Sequence, residues 1–299
     1  MPKLSDVIAV LEEIYPPQWA ESWDAVGLVC GDPDAETAKV LFAVDPVQSV
    51  VDEAVAWGAD LLVTHHPLYL RGTTSVAATG FKGRVVHTLI RNGVALHVAH
   101  TNADHAHPGV SDALAEAVGL RVTGPIIPDP TDPTGRRGSG RIGLLEPPIT
   151  LASFAAKVAD GLPATATGVR VSGDPDRLIS RVAVAGGSGD SFFAEVRAAG
   201  VDAYVTADLR HHPASEATEA APVALVDAAH WATEWPWLNL ADRALTEVAT
   251  ERGWQLETRV STLVTDPWTA HAPMPYTPPK PHSSTPHSPT PFDPTPAAP

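Results

Sequence analysis

Histidines that can bind metal follow one of the predicted strands of this chain. His65 and His66 come directly after the apolar run 59–63, which is typical of a buried strand. Open α/β sheets place their ligands at the carboxyl ends of their strands, and neutral imidazole is a common metal ligand. Adjacent histidines also occur in ordinary loops, so the pair predicts a metal site only if other parts of the chain supply partners.

Two further predicted strands each end in a histidine with a carboxylate four residues later. These pairs are His100 with Asp104 and His230 with Glu234. Imidazole and carboxylate donors without thiolate suit zinc, manganese, iron, cobalt or nickel, whereas calcium prefers oxygen ligands alone. Five or more such ligands exceed the needs of one catalytic zinc ion and indicate two divalent ions bridged by a carboxylate.

The elements that must position these side chains alternate between strands and helices. Apolar residues at helical spacing predict amphipathic helices, and short apolar runs predict buried strands. Strands that alternate with helices imply parallel βαβ units and an α/β fold. In the first half, the predicted strands cover 40–44, 59–63 and 94–99, and the predicted helices cover 7–15, 48–57, 84–91 and 111–118.

An internal repeat relates the two halves of the chain. The sequence Gly-Asp-Pro-Asp at 31–34 recurs at 173–176, and at the same offset the segment 63–66 corresponds to 205–208. The two His-x-x-x-carboxylate pairs also fall at matching places, at a shorter offset. The sequence therefore predicts two similar α/β units from an internal duplication. The match is asymmetric, because the second unit has Asp208 at the position where the first unit has His66.

The repeat divides the chain into four parts. We expect a first α/β subdomain over 1–124, a Pro/Gly-rich linker over 125–140 and a second α/β subdomain over 141–265. The remaining segment, 266–299, holds twelve of the thirty prolines among Ser, Thr and His. Such a composition buries too little apolar surface to order itself, so we expect a disordered tail.

Composition limits the classes of function. The formal net charge of −15 opposes a nucleic-acid-binding surface, which needs clustered Lys and Arg. The single cysteine, Cys30, excludes an intrachain disulfide and a thiolate-rich zinc site. The sequence shows neither an apolar signal core nor an apolar run of membrane-spanning length, so we expect a cytoplasmic protein.

Four ordered motifs resemble one known family. They are 63–68 (VTHHPL), 100–104 (HTNAD), 186–190 (GGSGD) and 227–234 (DAAHWATE). Together they are similar to the Nif-three-like dinuclear-metal-centre hexameric proteins, also named GTP cyclohydrolase I type 2 homologues. The resemblance covers about residues 4 to 265. It implies two intertwined three-layer α/β/α subdomains and a toroidal homohexamer whose metal sites face an internal cavity.

The same resemblance implies a ligand set. His65 and Asp104 would serve one metal ion, His66 and His230 the other, and Glu234 would bridge them. The chain departs from the usual pattern elsewhere, with Ala25 in place of asparagine and with Ala207 and Ala229 in place of glycine. None of these departures touches the five ligands.

Two bound metals would suit hydrolysis, with three candidate proton carriers. These are His100, Asp208 and His212. The glycine-rich stretch 186–189 is either a phosphate site or an ordinary strand-to-helix turn, and a phosphate site would favour a nucleotide substrate. The alternative function is a non-catalytic metal-binding scaffold or a regulatory interaction protein.

Overall fold

The computed structural model describes residues 1–272, so the predicted Pro-rich tail lies outside the described residues from position 273 onward. The described part is a mixed α/β fold, as the sequence predicts. Its helices are α1 Leu4–Ile14, α2 Gln48–Trp57, α3 Phe81–Arg91, α4 Thr101–His105, α5 Val110–Ala117, α6 Leu151–Gly161, α7 Phe193–Ala199, α8 His211–Ala220 and α9 His230–Glu251. Its strands are β1 Gly27–Cys30, β2 Lys39–Ala43, β3 Leu61–Thr64, β4 Ala95–Val98, β5 Arg121–Gly124, β6 Ile127–Pro128, β7 Gly138–Ser139, β8 Arg141–Thr150, β9 Arg170–Ser172, β10 Leu178–Ser188, β11 Ala203–Ala207, β12 Ala224–Ala228 and β13 Glu257–Val260.

The strands form two main sheets with the same core order. The first sheet runs β1-β4-β3-β2-β13, and the second runs β5-β8-β10-β11-β12-β9. In the first, β2, β3 and β4 are parallel and β1 is antiparallel to β4. In the second, β10, β11 and β12 are parallel and β9 is antiparallel to β12. The order β1-β4-β3-β2 therefore recurs as β9-β12-β11-β10.

Hydrogen bonds at matching positions accompany this order. One carboxylate oxygen of Asp60 accepts the N–H groups of Ala38 and Lys39, at 2.8 and 2.9 Å. In the second sheet one carboxylate oxygen of Asp202 accepts those of Ser180 and Arg181, at 2.9 and 2.8 Å. We propose on these grounds that the two units arose by duplication.

Apolar residues alternate between the two faces of each sheet. In β2, Val40 and Phe42 join the largest core cluster, whereas Leu41 and Ala43 pack on the opposite face with α2 and α3. This alternation follows from the two-residue period of a strand. The largest cluster contains apolar residues from both sheets and from α1, α5, α6 and α9, so one core joins the two halves.

Two strands belong to the sheet formed mainly by the other half of the chain. β13 lies late in the chain yet pairs in parallel with β2 of the first sheet. β5 lies before the predicted linker yet pairs with β8 of the second sheet. The segment 125–140, predicted as a linker, contains the antiparallel pair β6 and β7, so it is a short hairpin.

Within the described residues, no helix is both long and apolar enough to cross a membrane.

Candidate metal centre

The carboxyl ends of β3, β4 and β12 bring the predicted ligands together. His65 and His66 follow β3, and their backbone N–H groups donate to the carbonyls of Ala43 and Val44, at 3.1 and 2.8 Å. The chain is thereby held beside the end of β2, and the histidine pair lies at the sheet edge where α/β proteins place their ligands.

Two helices position the carboxylates. α4 begins one residue after His100 and carries Asp104, and α9 begins with His230 and carries Glu234 in its next turn. Residues four apart lie on the same face of a helix, so His230 and Glu234, both within α9, point to one side. α4 was not predicted from the sequence, because its five residues are too few for a helical pattern.

The carboxylate of Glu234 lies at the middle of the cluster. Its Oε1 is 3.0 Å from Nε2 of His230 and 3.5 Å from Nε2 of His65. Its Oε2 is 3.0 Å from Nε2 of His66. Glu234 is only 3% exposed. A buried carboxylate with a histidine on each oxygen has the arrangement that a bridging ligand requires.

His65 fits a metal on independent grounds. Its ring is fully buried, and Nδ1 contacts the carbonyl of Ala99 at 3.0 Å, which fixes the proton on that nitrogen. Nε2 is then an acceptor, and it is buried with no hydrogen-bond partner among the described residues. Asp104 Oδ1 lies 3.8 Å away. A lone pair of this kind, beside two carboxylates, suits a divalent cation.

Carboxylates also lie behind the other two histidines. Nδ1 of His66 is 2.7 Å from Oδ1 of Asp45, and Nδ1 of His230 is 2.6 Å from Oδ2 of Asp208. The hydroxyl of Thr265 donates to the second oxygen of Asp45 at 2.5 Å. Such partners fix the ring orientation and raise the basicity of a metal-binding imidazole.

His100 lies at the edge of the cluster. Its ring centroid is 5.1 Å from that of His65, and its Nδ1 is 2.9 Å from Oδ1 of Asp24. Asp24 also accepts the N–H and hydroxyl of Thr101. Burial opposes ionisation of Asp24, but the hydrogen bonds from His100 and Thr101 outweigh it and lower the pKa of this carboxyl. One ring nitrogen of His100 lies within 4.8 Å of those of His65 and His66.

Attraction between Glu234 and its neighbouring histidines stabilises the ionised forms of these side chains. Burial disfavours the charged form of Glu234, yet the nearby histidines outweigh it and hold the pKa of Glu234 well below its usual range. Burial likewise opposes protonation of His66 and His230, but Glu234, with Asp45 and Asp208, raises their pKa values to about 10 and about 11. Burial raises the pKa of Asp104.

A glycine leaves room for this packing. Gly187 has φ +67°, and a Cβ built on it would lie 2.5 Å from Oε1 of Glu234 and 3.0 Å from Nε2 of His230. A side chain at this position would therefore displace both proposed ligands.

Some of the predicted site residues lie elsewhere. His211 and His212 begin α8 and are exposed, so the structure does not bring His212 into the cluster. His97 is buried within β4. The predicted glycine turn is part of β10 as far as Ser188, where the chain pairs with Ala207 of β11.

Asp45 and Thr265 were missed by the sequence reasoning. Asp45 follows β2 by two residues and lies at the same sheet edge as His65. The expectation that ligands lie at the carboxyl ends of strands, which identified the histidines, therefore also applied to Asp45. Thr265 carried no comparable signal, because it belongs to the segment after β13, where the sequence predicts no site.

Two cavities adjoin the cluster. One of about 740 Å³ is lined by Asp104, His230 and Glu234 together with the β6–β7 hairpin. The other, of about 590 Å³, is lined by His66 and His230 together with Asp45 and Asp208. The centre is thus reached from two sides.

The fold and the site together define a class. The chain is a mixed α/β protein that gathers histidines and carboxylates from several strand ends into one buried centre able to hold metal ions.

Comparison with known proteins specifies the family. The profile of the Duf34/NIF3 (NGG1p interacting factor 3) family matches residues 2–267, and the chain belongs to this family. A Streptomyces coelicolor protein named GTP cyclohydrolase 1 type 2 homolog is 65% identical over 271 residues, covering 91% of this chain and 95% of the relative. A Mycobacterium tuberculosis protein of the same name is 40% identical over 370 residues, covering 89% of this chain and 96% of the relative. The crystal structure of Staphylococcus aureus protein SA1388 is similar with a TM-score of 0.82 and 28% identity, covering 90% of this chain and 99% of that one.

Proposed function

We propose that this protein binds two divalent metal ions and hydrolyses a nucleotide or a related small molecule. The observation that carries the proposal is the position of Glu234, whose two carboxylate oxygens face three histidines from two places in the chain. A carboxylate that bridges two metals occupies such a position in hydrolytic two-metal sites.

The family resemblance suggests a division of the ligands. Nε2 of His65 lies 3.8 Å from Asp104 and 3.5 Å from Glu234, and these three residues would hold one ion. His66 and His230 lie within 4.8 Å of Glu234 and of each other and would hold the second. Zinc, manganese, iron, cobalt and nickel all suit this mixture of nitrogen and oxygen donors.

The bound ions would supply a water of lowered pKa and polarise the bond under attack. Around them, the chain itself offers His100 as a proton carrier. Its Nδ1 is held by the carboxylate of Asp24, which leaves Nε2 free to accept or donate a proton. His100 also lines the larger cavity, where a substrate would lie against the proposed ligands.

Asp208 has a different role in this scheme. Its carboxylate is engaged by Nδ1 of His230, so it orients a ligand instead of carrying protons to the substrate. His212 lies outside the cluster and has no role in it.

The names of two relatives support a nucleotide substrate, since the Streptomyces coelicolor and Mycobacterium tuberculosis proteins are called GTP cyclohydrolase 1 type 2 homologs. The predicted homohexamer is part of the same proposal. Light scattering of the purified protein gives its mass, and six copies of the 31.4 kDa chain are expected.

Turnover by metal-loaded protein tests the proposed hydrolase. Nucleotides, phosphoesters and amides are offered to the wild type and to Glu234→Ala. We expect hydrolysis by the wild type alone, because the variant lacks the central carboxylate. Activity that survives in Glu234→Ala contradicts a two-metal hydrolase, and tight metal binding without turnover on any substrate favours the scaffold instead.

A further inference from the structure

The smaller cavity lies behind the candidate metal centre. It is lined by Asp45 and Asp208, whose carboxylates contact the Nδ1 atoms of His66 and His230. The Nε2 atoms of the same two rings contact Glu234 instead. The smaller cavity therefore meets the side of these rings that faces away from the proposed ions.

The larger cavity lies on the side of the proposed ligands. It is lined by Asp104 and Glu234, and also by His100, the proposed proton carrier. Its volume of about 740 Å³ is within the range of cavities that hold small molecules. A substrate that meets the proposed ions and His100 together would therefore occupy the larger cavity.

One aromatic side chain of the larger cavity is largely uncovered. Trp19, Trp23 and Phe192 contribute to the walls. Trp19 and Phe192 are partly buried and pack against core clusters, and the guanidinium carbon of Arg137 lies 4.2 Å from the centroid of the Trp19 ring. Trp23, in contrast, is 58% exposed. Of the three rings, Trp23 offers the most accessible surface to a bound molecule.

The backbone holds Trp23 beside the proton carrier. Trp23 lies in a turn in which the N–H of Asp24 donates to the carbonyl of Glu21 at 3.0 Å. Thr101 fixes both ends of this turn, because its hydroxyl accepts the N–H of Glu21 at 2.9 Å and its own N–H donates to Asp24 at 3.0 Å. The ring centroids of Trp23 and His100 are 6.2 Å apart. Single exposed apolar side chains are common, but this one is fixed next to a group that would act on the substrate.

We propose that Trp23 positions the substrate, whose planar heteroaromatic ring stacks on the indole while the group to be hydrolysed reaches the metal centre through the larger cavity. Aromatic rings favour stacked contacts with one another, and every nucleobase has a face that can stack. The inference rests on the proposed function, and it specifies a substrate that contains an aromatic ring. Trp23 holds this ring and takes no part in the chemical step.

Calorimetry with two probes tests the proposal on the full-length, Mn²⁺-loaded protein. GMP and ribose 5-phosphate share a sugar phosphate, and only GMP carries a planar base. We expect GMP to bind about 5-fold or more tightly than ribose 5-phosphate, which is the lower end of the contribution of one stacked base. Equal affinities, or no binding of GMP, overturn the proposal.

Substitutions of tryptophan locate the effect. Trp23→Phe keeps a flat ring and should keep a preference for GMP, whereas Trp23→Leu keeps only apolar bulk and should lose the preference. Trp268→Leu is the matched control, because Trp268 is 65% exposed and lines the smaller cavity. It should leave the preference unchanged. Persistence of the preference in Trp23→Leu, or its loss in Trp268→Leu, contradicts the proposal.

Metal content and mass exclude an indirect effect of the substitution. Trp23→Leu should bind as much Mn²⁺ as the wild type and should have the same mass in light scattering. Lost metal would mean that Trp23 supports the centre, and a changed mass would mean that Trp23 lies between copies of the chain. Either result overturns the proposal. If Trp23→Leu fails to fold, Trp23→Gln makes the same comparison with a polar side chain suited to an exposed turn.

Kinetics separates this inference from the proposed function. If a nucleotide is hydrolysed in a reaction that requires Glu234 and Trp23→Leu leaves its KM unchanged, the hydrolase stands and the stacking site is wrong. If GMP is preferred through Trp23 and no nucleotide is hydrolysed, the stacking site stands and the hydrolase is wrong. If both proposals hold, Trp23→Leu should raise KM by about 5-fold or more with little change in kcat, because stacking contributes equally to the ground state and the transition state.

Discussion

Asp45 and Glu234 contact opposite nitrogens of the His66 ring. Oδ1 of Asp45 lies 2.7 Å from Nδ1 of His66, while Nε2 of the same ring lies 3.0 Å from Oε2 of Glu234. Thr265, near the end of the described chain, donates to the other oxygen of Asp45. The orientation of His66 is therefore fixed jointly by the end of β2 and by the segment that follows β13.

Asp45→Asn should weaken metal binding without unfolding the protein. Loss of a carboxylate behind a ligating imidazole lowers metal affinity by about 10–100-fold. Competition with a fluorescent chelator measures the affinity. Asp52→Asn, on the exposed side of α2, makes the same chemical change away from the centre. Equal affinities in Asp45→Asn and Asp52→Asn would refute the orienting role.

Gly187→Ala should remove metal binding at a modest cost in stability. The left-handed backbone alone costs an alanine about 1–2 kcal/mol. The added Cβ also meets Glu234 and His230. Gly58→Ala is the matched control, because it has φ +76° with no heavy atom within 4 Å of the built Cβ.

Chemical denaturation and metal content measure the two effects separately. Both glycine variants should lose free energy of unfolding because of the left-handed backbone, Gly187→Ala should lose more because its Cβ meets Glu234 and His230, and only Gly187→Ala should lose metal. Full metal content in Gly187→Ala would mean that the proposed ligands are not Glu234 and His230.

Metal binding should release protons and strengthen as the pH rises. In the metal-free protein His66 and His230 have pKa values of about 10 and about 11, so both are protonated at neutral pH. A metal ion can bind only the neutral rings, so it must displace these protons. Calorimetry in buffers of different ionisation enthalpy should show release approaching about two protons per chain near pH 7.5. Binding that is independent of pH between 6 and 9 would contradict this coupling.

His100→Ala should impair turnover more than metal binding. A proton carrier contributes about 100-fold or more to kcat, whereas the five proposed ligands remain in place. His212→Ala should change neither quantity, because His212 is exposed and outside the cluster. Steady-state kinetics and elemental analysis measure both. Loss of metal together with activity in His100→Ala would make His100 a ligand instead of a proton carrier.

The parts of the fold that follow from local pattern could be predicted from the sequence. The helix predicted over 48–57 is α2, Gln48–Trp57, because its apolar spacing and the Gly58 that ends it are both local signals. The expectation that ligands lie at strand ends also grouped the adjacent pair His65 and His66 with His230, which is distant in sequence.

Features that depend on distant contacts could not be predicted. β13 reads as an ordinary strand of the second half, and only its pairing with β2 places it in the first sheet. The five-residue helix α4 is shorter than two turns, so its sequence carries no period to detect. Thr265 reaches Asp45 across 220 positions of sequence, a contact that no local pattern encodes.

The most direct test of the two-metal hydrolase is a titration of metal-free protein with Mn²⁺, following bound metal and turnover together. We predict that two ions bind per chain and that turnover appears with the second, because Glu234 would hold the pair together. Glu234→Ala should neither bind the pair nor turn over. Full turnover with one ion per chain, or an unchanged titration in Glu234→Ala, would contradict the proposal.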